Sequence, residues 1–147
     1  MRILHLISSM DRGGAESHLA SLARIQNKKD NVTIVYFKGN NYWKSKLKKE
    51  KINIIRLNLK SKFIFFQLIE LIIKINDILK KVRPNILHCH LSMMELVGAI
   101  LRKVNNQKFK FIITKHLDSA FLEGSKGKKV KIKGFFFDKF IINTANK

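Results

Sequence analysis

The stretch Arg2-Ile3-Leu4-His5-Leu6-Ile7-Ser8-Ser9-Met10-Asp11-Arg12-Gly13-Gly14-Ala15-Glu16 gives the first sign of architecture. Arg2 to Ile7 is short and largely apolar, as a buried strand is. Ser8 to Gly14 is rich in turn-forming residues. From Ala15 to Gln26 the apolar residues Ala15, Leu19, Leu22, Ala23 and Ile25 recur at helical spacing. Strand, loop and helix follow one another without a linker.

The same alternation continues outward. Val32 to Phe37 and Asn53 to Leu57 read as strands, separated by a lysine-rich helix from Asn41 to Lys51 anchored by Trp43 and Leu47. Phe63 to Val82 reads as a helix whose polar stripe is Gln67, Glu70, Lys74, Asp77 and Lys81. Arg83-Pro84 ends it. Ile86 to His90 is a fourth strand. Ser92 and Glu95 form a capping-box pattern for a helix from Met93 to Val104. Phe109 to Lys115 is a fifth strand, Val130 to Asp138 a short basic and aromatic helix or turn, and Lys139 to Asn143 a sixth strand. Strands alternating with helices predict an α/β fold, a Rossmann-like parallel sheet with helices on both faces. Ligands of such sheets bind beyond the carboxyl ends of the strands, near the switch in strand order.

The 147 residues suffice for one domain, and 46% of them are hydrophobic. Thirty basic residues against ten acidic ones give a net charge of +20. Such a balance fits solvated lysines, an anionic membrane surface or another polyanion. No recognition-helix or stacking-aromatic pattern accompanies it, so nucleic acid is not expected as a partner. Cys89 is the single cysteine, which excludes an intramolecular disulfide and agrees with a reducing compartment. The opening apolar run is too short for a signal peptide, and charges interrupt the greasy stretch at 63–82.

Candidate site residues are those that follow strands. Gly13-Gly14-Ala15-Glu16 opens a helix, whose free N–H groups and positive end suit a phosphate. The same residues also fit a tight turn with Glu16 facing the helix dipole. In His88-Cys89-His90 the alternation of a strand puts both histidines on one face and Cys89 on the other. These three therefore cannot share one metal, and no metal site is expected. His88 is expected to pack in the sheet, and His90 to reach its carboxyl edge. His116 and Asp118 follow the fifth strand, where they can hydrogen-bond a sugar hydroxyl or a phosphate, or simply form a polar loop. His5 and His18 are expected to be structural or solvated. Basic clusters at Lys44 to Lys62 and at Gly124 to Phe137 fit either a solvated face or an anionic membrane surface.

Four segments in order resemble the family-4 glycosyltransferases: the opening Arg2 to Glu16, Pro84 to His90, Ile113 to His116, and Asp138 to Thr144. The resemblance covers essentially the whole chain. It implies the amino-terminal, acceptor-side half of a GT-B fold, in which two Rossmann-like domains face a cleft. It further implies retaining glycosyl transfer from a nucleotide-sugar donor to a glycan or lipid-linked acceptor, with no cofactor and no metal. By that likeness Gly13 and Gly14 approach the donor phosphates and the acceptor, Glu16 starts the helix beneath them, His116 lies near the transferred sugar, and His90 lines the acceptor side. Asp118 stands one residue further from His116 than relatives often have their acid. The Glu-x7-Glu motif of the donor-binding domain has no counterpart in residues 1–147. The expectation is thus a single domain, inactive alone, either truncated as a gene fragment or working with a separately encoded donor half, in the cytoplasm and peripheral to the inner face of a membrane. The rival expectation is a catalytically inactive membrane-associated binding module or fragment.

Overall fold

The computed structural model describes residues 1–116 and 139–145. They form five parallel strands: β1 (Arg2–Leu6), β2 (Asn31–Tyr36), β3 (Asn53–Arg56), β4 (Ile86–His90) and β5 (Lys110–Thr114). The helices are α1 (Gly14–Gln26), α2 (Tyr42–Lys48), α3 (Ile64–Val82) and α4 (Ser92–Val104). The sheet order is β3-β2-β1-β4-β5. The chain winds outward from β1 in one direction, then returns to its other side with β4. The switch in order therefore lies between β1 and β4, where a crevice opens at the carboxyl ends.

Alternation along each strand divides the core in two. Leu4, Leu6, Val35, Leu87 and Cys89 face α3 and α4, together with Leu71, Ile75, Leu79, Val97 and Leu101. Ile7, Val32, Ile34 and Tyr36 face the other way, toward Leu19, Ala20 and Ala23 of α1 and Leu47 of α2. The central strands β1 and β4 are buried on both sides, apolar on the face toward α3 and α4 and carrying His5, His88 and His90 on the other.

Three expectations need correction. Ser92 does not cap α4. It is the first helical residue, and Leu91 holds the capping position without any side-chain bond. Glu95 instead turns inward, almost fully buried, and pairs with Lys115 at 3.0 Å. Residues 139–144 are helical rather than a sixth strand. A run as short as Phe140-Ile141-Ile142 carries no usable period, and only Ile141 enters the core while Phe140 and Ile142 stay exposed. Ile25 also faces solvent, although it falls on the apolar spacing of α1. The basic and aromatic segment expected at Val130 to Asp138, with its cluster from Gly124, lies outside the described residues.

The contact of α4 with the sheet depends on Gly98. A Cβ there would meet Cys89 Sγ at 2.4 Å and Phe111 Cε2 at 2.7 Å. Gly98→Val is expected to destabilise the chain by about 2 kcal/mol or more, as overpacking and a β-branched helical residue add. Urea unfolding measures this, and Cys89→Ala in the same chain should recover part of the loss. An unchanged midpoint would contradict the close packing.

Candidate functional site

At the carboxyl end of β1 the chain is held in place by backbone bonds. Phe37 and Lys38 N–H donate to Ser8 O, and Trp43 N–H donates to Met10 O. Asn40 N–H donates to the Asp11 carboxylate at 2.5 Å. Gly13 then precedes the first turn of α1. Its φ of −125° is open to any residue, so its role is one of space. Ser9 Oγ donates to the Glu16 carboxylate, which folds back so closely that a Cβ on Gly13 would lie 2.1 Å from Glu16 Oε2. Gly14 differs, because a Cβ there meets nothing within 4 Å. One glycine makes room for Glu16, and the other leaves the helix start open to the crevice. The buried Glu16 carboxylate sits at the positive end of α1, where the helix dipole favours it.

The second part of the site is imidazole. The chain has five histidines, and all five converge. Parallel pairing sets His5 of β1 opposite His88 of β4, with ring centroids 5.0 Å apart. His88 and His90 rings lie 4.3 Å apart on the same face. Cys89 points the other way, into the core beneath α4. His116 follows β5, 5.6 Å from the His90 ring. The exposed His18, one turn into α1, brings its ring to 5.5 Å from His116 and 6.5 Å from His90.

These rings form a directed chain. His5 Nε2 lies 2.8 Å from Gln26 Oε1. An amide oxygen only accepts, so Nε2 of His5 carries the hydrogen and Nδ1 is bare. His5 Nδ1 lies 3.2 Å from His90 Nε2, so His90 in turn donates from Nε2 and keeps its Nδ1 lone pair. That lone pair faces His116 Nε2 at 3.4 Å. His88 stands beside this line and bonds Thr114 Oγ1 at 2.7 Å. Gln26 thereby sets the tautomer of His90, which lies across the crevice wall.

Burial, reinforced by the neighbouring imidazoles, disfavours the charged forms. His90 is pushed down to about 2, by burial and then by His88, His5, His116 and His18. His5 is lowered to about 4, by burial and His88, against the opposing bond to Gln26. His88 is also lowered to about 4, by burial, His18 and His116. His116 is lowered by burial and His18, while the Glu16 carboxylate pulls it back up. His5, His88 and His90 are therefore neutral at physiological pH.

Immediately after His90 the backbone turns sharply. Leu91 takes φ 68°, a left-handed value for a side chain that disfavours it. Its carbonyl accepts from Met94 and Glu95 N–H at 3.0 Å, starting α4 at once. Such strain, of order 1–3 kcal/mol, concentrates at functional sites.

Among the residues singled out in the sequence, Gly13, Gly14, Glu16, His90 and His116 come together at one end of the sheet. Asp118 lies outside the described residues. Sequence reasoning did not single out Ser9 or Gln26, and it expected His5 and His18 to be structural or solvated: His5 is buried in β1 and His18 is exposed on α1. His5 and His88 occupy the same face only through the strand register, which no local pattern reveals. Two sets of three histidines, His5-His88-His90 and His18-His90-His116, have ligand atoms within 4.8 Å of one another. The reading of His88-Cys89-His90 alone did not anticipate them.

Three buried histidines with lowered values make stability depend on pH. Their folded values lie below the ordinary 6.5, so the unfolded chain binds protons first as pH falls. Stability is full above about 6.5 and is lost toward 4, by up to about 1.4 kcal/mol per pH unit for each group. Thermal melts between pH 7.5 and 5 should show a clear fall in Tm, before carboxylates titrate. A flat profile across that window would contradict the buried neutral cluster.

Among solved structures, HepE from Anabaena in complex with UDP and glucose overlays with a TM-score of 0.67 at 16% identity, covering 100% of this chain and 42% of that one. Sucrose-phosphate synthase from Thermosynechococcus elongatus gives 0.71 at 14% identity, covering 98% and 40%. UDP-GlcNAc 2-epimerase from Methanocaldococcus jannaschii gives 0.65 at 16%, covering 95% and 37%. The chain thus spans about two fifths of the length of these proteins, and at such identities the likeness establishes the Rossmann-like fold alone. No curated protein matches the sequence significantly. The profile of the glycosyl transferase 4-like proteins, however, matches residues 10–144, a span running from the Gly13-Gly14 loop past β5. With that match, and with a fold shared with GT-B glycosyltransferases, the chain belongs to the glycosyl transferase 4-like family.

Proposed function

We propose that this chain is the acceptor-side half of a retaining, nucleotide-sugar-dependent glycosyltransferase. The observation that carries the reading is the convergence of the open start of α1 with neutral imidazoles at the switch point between β1 and β4. Free N–H groups and the positive end of α1 suit the diphosphate of the donor. Gly14 leaves space for that approach. His116 offers an imidazole whose charged form is disfavoured by burial and by His18, which suits sugar hydroxyls better than a fixed charge, with the buried His90 behind it. HepE binds UDP and glucose on a like fold, which supports a nucleotide sugar as the donor. The second wall of the cleft, which completes the donor pocket, would come from a donor-binding half. The protein half described here would bind a nucleotide sugar weakly by itself, because one wall encloses little of the ligand.

In an enzyme carrying both halves, His116→Ala should lower kcat by about 100-fold or more, the scale of one lost proton-handling or hydrogen-bonding group. Far-UV circular dichroism should stay unchanged. Turnover equal to the parent would remove His116 from the site. Gly14→Leu should raise KM for the donor without loss of stability, since the substitution fills open space.

A lipid-linked acceptor is favoured by a second feature. Phe63, Ile64, Phe65 and Phe66 at the start of α3 are all more than half exposed. The preceding loop is tied to α3 by Lys60 N–H and Ser61 N–H donating to Glu70. This places Lys60 and Lys62 beside four exposed apolar side chains. No helix among the described residues is long and apolar enough to cross a membrane. The arrangement fits a surface that dips into an anionic interface while its lysines meet lipid headgroups. Vesicle co-sedimentation should show binding to anionic but not neutral vesicles, weakened by salt and lost in Phe65→Ser/Phe66→Ser. Equal binding by that variant would place the contact elsewhere.

A further inference from the structure

The five histidines do more than the transfer reading requires. That reading uses His116 and His90, and leaves the exposed His18 and the line running back to Gln26 without a task. We propose that His18, His90 and His116 form a binding site for a borderline transition-metal dication of the zinc class, with a remaining coordination position open to solvent.

Ligand type is the first ground. Three imidazoles with an open fourth position are an established donor set for such ions. Spacing is the second. In a tetrahedral site with metal–nitrogen bonds of about 2.0–2.1 Å, ligand nitrogens stand about 3.4 Å apart. His90 Nδ1 and His116 Nε2 lie 3.4 Å apart. Ligand atoms of all three residues fall within 4.8 Å of one another. His18 is the exposed member, so a short side-chain rotation closes the set.

The third ground is the support behind the ligands. A metal-bound histidine characteristically donates its other ring N–H to a fixed acceptor, which sets its tautomer and orients its ring. His90 does so through Nε2 to His5 Nδ1, and His5 is itself held by Gln26 Oε1. The line therefore leaves the Nδ1 lone pair of the buried His90 directed at the outer cluster. The nearby Glu16 carboxylate adds a favourable charge, as its pull on His116 shows. The inner trio of His5, His88 and His90 is the weaker choice. Both nitrogens of His5 are engaged with Gln26 and His90, His88 Nε2 is engaged with Thr114, and all three residues are buried.

The ion would occupy Nε2 of His116, the residue assigned to the sugar side of the cleft. Metal binding and that sugar contact then compete, and the site acts on the transferase as an inhibitory or regulatory one. The geometry itself stands apart from the transferase reading, because it concerns the ion alone.

The test uses the full chain without an affinity tag, stripped with a chelator and titrated with Zn2+ by calorimetry in a non-coordinating buffer. One ion per chain is expected. His18→Ala and His116→Ala should each weaken binding by about 10-fold or more, and Gln26→Leu, which touches no ion, by about 10-fold through loss of the support. Co2+ in place of Zn2+ should show the visible absorption of a four-coordinate site, diminished in the same variants. Circular dichroism of each variant confirms its fold. Absence of binding at millimolar Zn2+, or equal affinity in the His18→Ala and His116→Ala chains, would overturn the proposal.

Discussion

The parallel pairing of β1 with β4 is the constraint from which the site follows. It sets His5 opposite His88 and Leu6 opposite Cys89. A slip of one residue would turn the slipped strand over; in β1 it would carry His5 toward α3 and α4 and push Leu4 and Leu6 toward α1. The apolar partners forbid this. Leu4, Leu6, Leu87 and Cys89 are packed with α3 and α4, and none is exposed. Hydrophobic burial on one face therefore fixes polar geometry on the other. Each buried imidazole costs about 1–3 kcal/mol if a ring nitrogen goes unpaired. The line from Gln26 through His5 and His90 to His116, with Thr114 beside it, is how that cost is avoided.

The same pairing locates the crevice. Because β4 returns beside β1 rather than beside β3, the loops after β1 and β4 diverge above the sheet. The first leads into α1 through Gly13 and Gly14. The second reaches α4 within one residue, through the left-handed Leu91. One connection is roomy and the other is abrupt. His5, His88 and His90 lie in the seam between them, neutral because burial and the neighbouring imidazoles disfavour their charged forms.

Much of the fold was legible in the sequence. All five described strands fall within a residue or so of their expected positions, because β1, β2 and β4 carry concentrated apolar runs and the helices carry clear 3.6-residue spacing. Residues 139–144 failed because a three-residue apolar run fits either period. Ser92 failed because the capping-box pattern specifies residue types and not backbone entry, and Leu91 had already turned the chain. The site was legible only in part. Gly13, Gly14, Glu16, His90 and His116 follow strand ends or open a helix, which is a local property. Ser9, His5, His18 and Gln26 join them through register and helix docking. Those are long-range properties that a one-dimensional pattern does not contain.

The charge of +20 becomes more specific once the acids are placed. Every acidic residue among those described already has a partner. Asp11 accepts from Asn40 and Glu16 from Ser9. Asp30 holds the amino terminus, Glu50 meets Arg24, Glu70 meets Lys74 and Glu95 meets Lys115. Asp77 approaches Lys80 at 4.0 Å on an exposed turn. Three of these acids, Asp11, Glu16 and Glu95, serve the loops and helix starts around the crevice and not the lysine-rich surface. Among the described residues, the cations on α2, Lys60 and Lys62 before α3, Lys81 at the end of α3, and Arg102 and Lys103 at the end of α4 have no acidic ion-pair partner. Mutual repulsion among them opposes compaction, and a partner that supplies phosphates relieves it. Nucleotide sugars and anionic lipids both supply phosphates, so the charge excess and the helix-start site favour the same chemistry from two separate parts of the molecule.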